Sequence, residues 1–370
     1  MRNLAVGFAV GAVVGGAATA YVLIKKPDTV RVSTGHKPTP SSIQYHPALK
    51  YGAPTSGVSN QNMRFYDGFV AAFDTRTRNP SWVLEHLQWK DKNDDGVDRS
   101  KSDFFEDKQI DEKFRNRIAD FKGSGYDRGH LAPAANHKSS QKAMNETFTM
   151  SNVSPQVGRG FNRDYWARFE KFVKDLMKFS TAVYVVTGPL WLPKMDKKSK
   201  KWTMQYPLIG EPPRLVSVPT HFYKVILAER AGGGPTGVGA FVMPNEEIDP
   251  NTPLVRFSAP IGDLECATGM KFFPNYLTDD RKAVLDDTAV EWREYGKAKQ
   301  IQSGKNSNPQ LPAESSASES VELEKKTSTQ ETAVVSRGLP KTRLGGKGAV
   351  HLCENTGCEV AQREFWTKKK

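Results

Sequence analysis

Cysteine is scarce in this 370-residue chain, which contains only Cys266, Cys353 and Cys358. So few cysteines exclude a small scaffold held together by several disulfides. Cys353 and Cys358 form a C-x4-C pair with no second pair elsewhere, and His351 is the one histidine near them. A tetrahedral zinc site needs four ligands, or three and an open position, so zinc is not expected there. A local disulfide stays open as an alternative, since it would require an oxidising compartment.

The signatures of several common enzyme classes are also absent. The chain has no G-x-x-x-x-G-K-[ST], H-E-x-x-H or G-x-S-x-G motif, which argues against an NTPase, a zincin protease and an α/β-hydrolase. Acidic residues are in deficit, because 41 Asp and Glu residues stand against 53 Lys and Arg residues and the formal net charge is +12. This excess favours polyanionic partners, either nucleic acid or an anionic membrane surface.

Composition divides the chain into four segments: residues 1–26, 27–62, 63–298 and 299–370. Residues 3–24 of the first segment are uncharged and mostly apolar, and about 20 such residues can cross a bilayer as a helix. We therefore predict that the first segment is a transmembrane anchor or a targeting segment. A cleaved signal peptide is the alternative, although its apolar core is usually only about 7–15 residues long.

The second and fourth segments have the composition of unfolded chain. Residues 27–62 are rich in Pro, Ser, Thr and Gly and are predicted to form a linker. Residues 299–370 have low complexity and end in a basic run. A segment rich in Ser, Glu, Lys and Thr with few aromatic residues is typical of disorder, so we predict a disordered, basic tail.

Residues 63–298 carry the periodic patterns of a folded domain. Strands are predicted where apolar, aromatic and β-branched residues cluster, at 65–73, 82–89, 181–187, 223–227 and 237–243. Helical spacing of apolar residues predicts helices at 261–272 and 281–295. Because the two kinds of element interleave without regular βαβ alternation, we predict an α+β fold. A central, mainly antiparallel sheet would then carry helices on both faces.

The candidate chemistry lies between Tyr126 and Glu170. His130 stands in a polar turn, and a short strand-like run follows at Thr147 to Asn152. Apolar residues then recur at helical spacing from Trp166 onward. Asn162 heads the same helical face, because about 100° per residue brings positions 162, 166 and 169 into one sector. Glu170 lies two turns further on, so both polar side chains can reach one bound ion through water.

This stretch is part of a longer similarity. Five motifs occur in order: DRGH at 127–130, SNVSPQ at 151–156, FNRDYWARFE at 161–170, VVTGPLW at 185–191 and VPTHFYKVI at 218–226. The chain thereby resembles the DNA/RNA non-specific ββα-metal (His-Me finger) endonucleases, and within them the mitochondrial endonuclease G type. The resemblance covers roughly residues 63–296. DRGH alone is a weak signal, whereas DRGH, SNVSPQ and an Asn with a Glu eight residues later make a strong one.

The resemblance implies a full set of functional expectations. The cofactor would be Mg²⁺, with Mn²⁺ as a substitute, and the substrates DNA and RNA, cleaved to 5′-phosphate and 3′-hydroxyl ends. A homodimer in mitochondria is implied, with residues 3–24 in the inner membrane and the nuclease domain facing the intermembrane space. The domain would stay tethered there or be released by cleavage and relocate to the nucleus.

Roles can be assigned to four residues on this basis. His130, alone among the seven histidines in being flanked by an arginine and followed by a small, Pro-containing segment, is assigned as general base, since a neutral imidazole accepts a proton near pH 7. Arg128 is assigned to the non-bridging phosphate oxygens. The resemblance implies that Asn162 ligates the metal directly and that Glu170 holds one of the waters that Mg²⁺ keeps when protein ligands are few.

Supporting roles fall to four more residues. Asp127 is expected to orient the hairpin, Asn152 to support the metal shell or the substrate by hydrogen bonding, and Arg163 to contact the nucleic-acid backbone. Lys174 stands where many relatives carry arginine. Lysine keeps the positive charge but loses the bidentate geometry, so we expect altered turnover or substrate preference rather than inactivity.

Two other functions remain open from the sequence. One is a nucleic-acid-binding or lipid-surface protein without catalysis, although every candidate catalytic residue is present. The other is a zinc-dependent hydrolase built on His130 and His137. Their H-x6-H spacing is not a recurrent metal-binding spacing, and His137 is expected to be a surface residue.

Overall fold

The fold is described from a computed structural model, for residues 46–56, 62–89, 96–230, 235–306 and 350–360. The apolar run 3–24 and most of the predicted linker lie outside these ranges. The linker prediction is wrong for residues 46–56, because the 3₁₀ helix Pro47–Tyr51 forms there and its Ala48 and Tyr51 pack in the core. Within the described residues, no helix combines the length and the apolar character needed to span a membrane. The membrane anchor therefore stays a prediction.

Thirteen strands are present in the described part of the chain. Seven of them make the central sheet: β1 (Met63–Phe65), β2 (Phe69–Asp74), β3 (Asn79–Leu87), β6 (Ala182–Leu190), β11 (His221–Glu229), β12 (Pro235–Pro244) and β13 (Ser258–Ala259). The other six form hairpins: β4 (Tyr126–His130) with β5 (Val153–Val157), β7 (Lys194–Met195) with β8 (Trp202–Thr203), and β9 (Leu208–Glu211) with β10 (Arg214–Ser217).

Five α-helices accompany the strands in the ranges that the structure describes: α1 (Gln141–Glu146), α2 (Trp166–Leu176), α3 (Ile261–Thr268), α4 (Asp279–Asn306) and α5 (Leu352–Thr356). A π-helical segment, Gly158–Tyr165, leads into α2. Its Arg159 and Gly160 have non-helical backbone angles, and Gly160 has a φ of 72°. The helical turns that carry Asn162 therefore begin just after a left-handed glycine, a conformation that other residues adopt at a cost.

The central sheet is antiparallel throughout, in the order β1-β2-β3-β6-β11-β12-β13. Its middle strand β6 is buried along its whole length, because both faces are covered. On one face, Val185 packs in a core with Phe169 of α2. On the other, Val186 packs with Ile261 of α3 and Leu285 of α4. The predicted α+β fold, with an antiparallel sheet and helices on both faces, is confirmed.

One predicted strand is wrong. The run from Thr147 to Asn152 contains the short 3₁₀ helix Met150–Asn152, and the strand begins only at Val153. The physical reason is the Asn152 side chain, whose Oδ1 accepts from Ala132 N at 2.9 Å and whose Nδ2 donates to Thr147 O at 2.8 Å. Such side-chain bonds to the backbone compete with extended pairing.

Part of the predicted disordered tail is also folded. Val350 to Val360 packs against the sheet, where Val238 N of β12 donates to Val350 O at 2.9 Å and Leu352 joins the core. Gly239 on β12 makes room for it, since a Cβ there would lie 3.1 Å from the Leu352 Cβ. Cys353 and Cys358 are joined by a disulfide that is buried in the same core. The prediction of disorder is therefore wrong for these eleven residues.

Candidate active site

The hairpin β4–β5 carries the motif DRGH at residues 127–130, which lies in β4. His130 pairs with Val153 and Gly129 with Ser154 in this antiparallel ladder. A Cβ at Gly129 would lie 2.1 Å from the Gln156 side chain, so a larger residue at this position would displace that buried side chain. The hairpin thereby fixes where Arg128 and His130 emerge.

A cleft of about 870 Å³ lies between this hairpin and α2 with the helical segment that precedes it. Seven of the eight predicted site residues line it: Asp127, Arg128, His130, Asn162, Arg163, Glu170 and Lys174. Side chains from positions 127 to 174 of the chain therefore face one space.

His130 sits at the inner wall of the cleft between two aromatic rings. Its imidazole lies 5.2 Å from the Phe104 ring and 4.8 Å, edge-on, from the Phe148 ring. Its Nε2 is enclosed and makes no hydrogen bond to any residue that the structure describes. Burial, assisted by the positive charges of Arg99 and Arg128, lowers the pKa of His130 to about 3. The imidazole is therefore neutral at pH 7, as a proton acceptor must be.

Asp127 connects the hairpin to the helical segment. Its Oδ2 accepts from Asn162 Nδ2 at 2.9 Å and from Arg163 Nε at 2.7 Å, and Arg163 Nη2 donates to its other oxygen. Burial opposes ionisation, but the hydrogen bonds from Arg163 and Asn162 outweigh it and lower the pKa of Asp127. These contacts join β4 to the helical segment that carries Asn162.

The hydrogen bond from Asn162 to Asp127 shows which atom of the Asn162 amide is available to bind a cation. Because its Nδ2 donates to Asp127, the amide oxygen is left for another partner, and a neutral oxygen is a ligand that Mg²⁺ accepts. Among the described residues, no group of three or more His, Cys, Asp or Glu side chains is arranged to hold a metal. The donor set thus fits a cation held by one amide, water and a substrate phosphate, and does not resemble a zinc cage.

Glu170 and Lys174 stand one turn apart on α2 and both line the cleft. Burial raises the pKa of Glu170 to about 7, while the positive charge of Lys224 beneath it acts in the opposite direction. Lys174 Nζ donates to the Ala135 carbonyl at 3.2 Å. That bond ties the helix to the chain segment that follows His130.

Asn152 does not line the cleft. Its side chain is completely buried and binds the backbone of Ala132 and Thr147. From the sequence, Asn152 is expected to support the metal shell or the substrate. Its hydrogen bonds instead hold the loop on either side of the hairpin, and its amide group is not directed at the cleft.

His137 also departs from expectation. It is only 4% exposed, and its Nε2 lies 3.0 Å from Oε1 of Glu85. The prediction that His137 lies at the surface is therefore wrong, because its imidazole pairs with the buried carboxylate of Glu85 on β3. With that nitrogen engaged, the arrangement does not favour a zinc site built on His130 and His137.

Several cleft residues escaped the sequence reasoning. Arg99 and Phe104 line the cleft, and the Arg128 guanidinium lies 4.4 Å from the centre of the Phe104 ring. Both come from the segment between β3 and β4, where Arg99 begins a three-residue 3₁₀ helix and no apolar periodicity marks either residue. Trp89, Lys171 and Lys178 also line the cleft. Their positions depend on how the loop and α2 meet in space.

Comparison with known proteins agrees with this geometry. Residues 45–279 match the family model described as DNA/RNA non-specific endonuclease. The chain belongs to this family of enzymes and is an endonuclease.

Similar proteins of the family are known from distant organisms. The mitochondrial nuclease of Saccharomyces cerevisiae is 43% identical over 287 residues, covering 74% of this chain and 86% of that protein. Mitochondrial endonuclease G of Homo sapiens is 44% identical over 228 residues, covering 62% of this chain and 73% of that protein. A chain in the crystal structure of the EndoG/EndoGI complex is 42% identical, with a TM-score of 0.58, and the match covers 63% of this chain and 92% of that one.

Proposed function

We propose that this endonuclease hydrolyses phosphodiester bonds of both DNA and RNA, with Mg²⁺ as cofactor and Mn²⁺ as a substitute, leaving 5′-phosphate and 3′-hydroxyl ends. One observation carries the proposal: His130, Arg128, Asn162 and Glu170 line a single cleft. Their functional groups are directed at phosphate and water rather than at base edges, so cleavage should depend little on sequence.

Each of the four side chains has a distinct task in this proposal. His130 takes a proton from the attacking water, and Nδ1 is the accepting atom because Nε2 is enclosed. Arg128 places its planar guanidinium on the non-bridging phosphate oxygens. Asn162 would hold the metal through its amide oxygen, and Glu170 would accept from a water beside it. A bound Mg²⁺ supplies charge stabilisation for the phosphorane-like transition state and the leaving oxygen.

The remaining polar residues of the cleft position these four. Asp127 keeps the Asn162 amide turned with its oxygen outward. Arg163 is largely exposed and held by Asp127, from where it can contact the nucleic-acid backbone. Lys174, in the position of an arginine in many relatives, supplies a single point charge to a flanking phosphate.

Location and assembly are further parts of the proposal. The relatives from yeast and human carry the word mitochondrial in their names, which supports a mitochondrial location for this chain. Residues 3–24 would anchor it in the inner membrane with the nuclease domain in the intermembrane space, and cleavage would release the domain toward the nucleus. A homodimer is proposed on the resemblance to endonuclease G alone.

Digestion of plasmid DNA and of a structured RNA by the full-length protein tests the proposal. Cleavage should require added Mg²⁺ or Mn²⁺, stop with EDTA, and leave ends that a ligase can join without a kinase. His130→Ala and Asn162→Ala should each reduce cleavage about 10³-fold or more while leaving DNA binding within a few-fold. Arg159→Ala, an exposed position outside the cleft lining, is the matched control.

The outcomes separate the alternatives. Unchanged cleavage by Asn162→Ala contradicts the metal role of this residue. Cleavage supported by Zn²⁺ and not by Mg²⁺ favours a zinc hydrolase. DNA binding without cleavage by the wild-type protein, under every metal condition, indicates a binding protein that has lost catalysis.

A further inference from the structure

A row of polar residues interrupts the apolar face of the sheet beneath α2. Strand β11 directs Phe222, Lys224 and Ile226 to one face, because side chains alternate along a strand. Phe222 and Ile226 belong to the core that packs against α2, and Lys224 occupies the place of an apolar residue between them. In the antiparallel register Lys224 is opposite Thr187 of β6. Sequence alternation would predict an aliphatic residue at this position.

Lys224 is fixed tightly in that place. Its side chain is fully buried, at 1% exposure, and its Nζ donates to Thr187 Oγ1 at 2.9 Å. The same Nζ lies 4.6 Å from the centre of the Trp166 ring. Trp166 and Glu170 are four residues apart on α2, so their side chains are neighbours on one helical face. The ammonium group therefore sits under the part of α2 that carries Glu170 into the cleft.

Two carboxylates act on this cation, those of the fully buried Glu85 and the partly buried Glu170. Glu85 of β3 is 1% exposed and interacts with His137 Nε2 and Asn136 Nδ2 at 3.0 and 3.1 Å. A buried charge without a counter-charge is strongly unfavourable, so the lysine and the two carboxylates depend on one another. Glu85 has other polar partners that can hold it, whereas Lys224 is the positive charge that acts most strongly on Glu170, ahead of Arg99 in the cleft.

We propose that Lys224 is a positioning residue of the active site, whose buried ammonium group holds the Glu170 carboxylate aimed at the water it binds in the cleft. The inference rests on the proposed role of Glu170 in hydrolysis. Lys224 does not touch substrate, because it lies beneath the cleft and is absent from its lining. Its effect is transmitted through Glu170.

A double-mutant cycle, with kcat as the measured quantity, tests whether Lys224 acts through Glu170. Lys224→Met removes the charge and keeps the length of the side chain, and Glu170→Gln removes the group on which it acts. We expect Lys224→Met to lower kcat by at least about tenfold, with KM for plasmid DNA changed less than about threefold. In the Glu170→Gln background the same substitution should lower kcat by less than about twofold, since coupled residues are not additive.

Controls distinguish this role from a contribution to folding alone. Lys282 is another buried lysine, paired with Glu265 at 2.7 Å and outside the cleft, so Lys282→Met should lower the melting temperature without lowering kcat. If Lys224→Met does not fold, Thr187→Val takes its place in the cycle, because it removes the hydroxyl that holds the ammonium group. We expect Thr187→Val to lower kcat by about threefold or more, again only while Glu170 is present.

Two results would overturn the inference. One is a kcat within twofold of wild type in Lys224→Met, or in Thr187→Val where it replaces Lys224→Met. The other is an equal loss of kcat with and without Glu170. Failure of the proposed function looks different, since Asn162→Ala would then cleave normally, or the wild-type protein would not cleave at all.

Discussion

Asp127 links the two parts of the site through one carboxylate. One of its oxygens accepts from Asn162 and from Arg163, and the other accepts from Arg163. An aspartate can do this because both of its oxygens are acceptors, whereas an asparagine has one acceptor and one donor. At the residue scale, therefore, the orientation of the proposed metal ligand depends on a neighbour that does not itself touch the metal.

Asp127→Asn should disturb that orientation. We expect kcat to fall about 10- to 100-fold and the Mg²⁺ concentration for half-maximal rate to rise, as when the hydrogen-bond partner of a metal ligand is removed. Steady-state cleavage across a Mg²⁺ titration measures both. Glu247→Gln is the control, because Glu247 is exposed and lies 3.9 Å from exposed Arg159. If Asp127→Asn showed the same Mg²⁺ dependence as the wild type, the expectation would be contradicted.

Asn152 is a second single residue with a measurable effect. Replacing it by alanine removes three hydrogen bonds to the backbone of Ala132 and Thr147 and leaves buried groups unpaired. We expect the free energy of unfolding to fall by about 2–4 kcal/mol, measured by urea denaturation. Asn251→Ala at an exposed position should change it by less than about 0.5 kcal/mol. A similarly small change for Asn152→Ala would show that its contacts are dispensable.

At the scale of elements, the folded segment Val350 to Val360 lies outside residues 45–279, which match the family model. Its helix α5 begins after His351, whose Nδ1 accepts from Cys353 N at 3.3 Å. His351 is 2% exposed, and burial lowers its pKa to about 3. An unfolded histidine titrates near pH 6.5, so between about pH 6.5 and 3 the unfolded chain binds a proton that the folded chain does not.

Stability should therefore fall as the pH drops below about 6.5. His351→Asn keeps a side chain that can cap the helix but cannot be protonated in this range. From pH 7 to 5, we expect the wild type to lose about 2 kcal/mol more stability than His351→Asn, measured by chemical denaturation or by hydrogen exchange in residues 350–360. Parallel pH profiles for the two proteins would show that His351 is not the titrating group.

For the molecule as a whole, charge connects the fold with its substrate. The formal net charge is +12, and several cleft residues are cationic: Arg99, Arg128, Arg163, Lys171, Lys174 and Lys178. Binding to nucleic acid releases counterions from the phosphates, so affinity falls as salt rises. In the proposed mechanism these cationic side chains bind the nucleic acid, and the uncharged His130 transfers the proton.

Raising salt from 50 to 200 mM should increase KM for plasmid DNA about tenfold or more and change kcat much less. Lys171→Ala and Lys174→Ala together should flatten this dependence, while exposed Lys198→Ala on the turn between β7 and β8, outside the cleft, should not. The slope of log KM against log salt is the measurement. Equal slopes in wild type and the double variant would show that this rim does not contact phosphate.

The local patterns of the sequence determined the central strands, the helix α2 and the motif residues from Asp127 to Lys174. These follow from the spacing of apolar residues and from contiguous motifs, which act within a few turns of chain. Other features were decided only by the tertiary structure. Asn152 holds a loop through hydrogen bonds to its backbone, and residues 350–360 cover β12. His137 is buried beside Glu85, and Lys224 is buried beneath Glu170. Those contacts depend on the register between strands far apart in the chain, and no pattern within one segment contains that information.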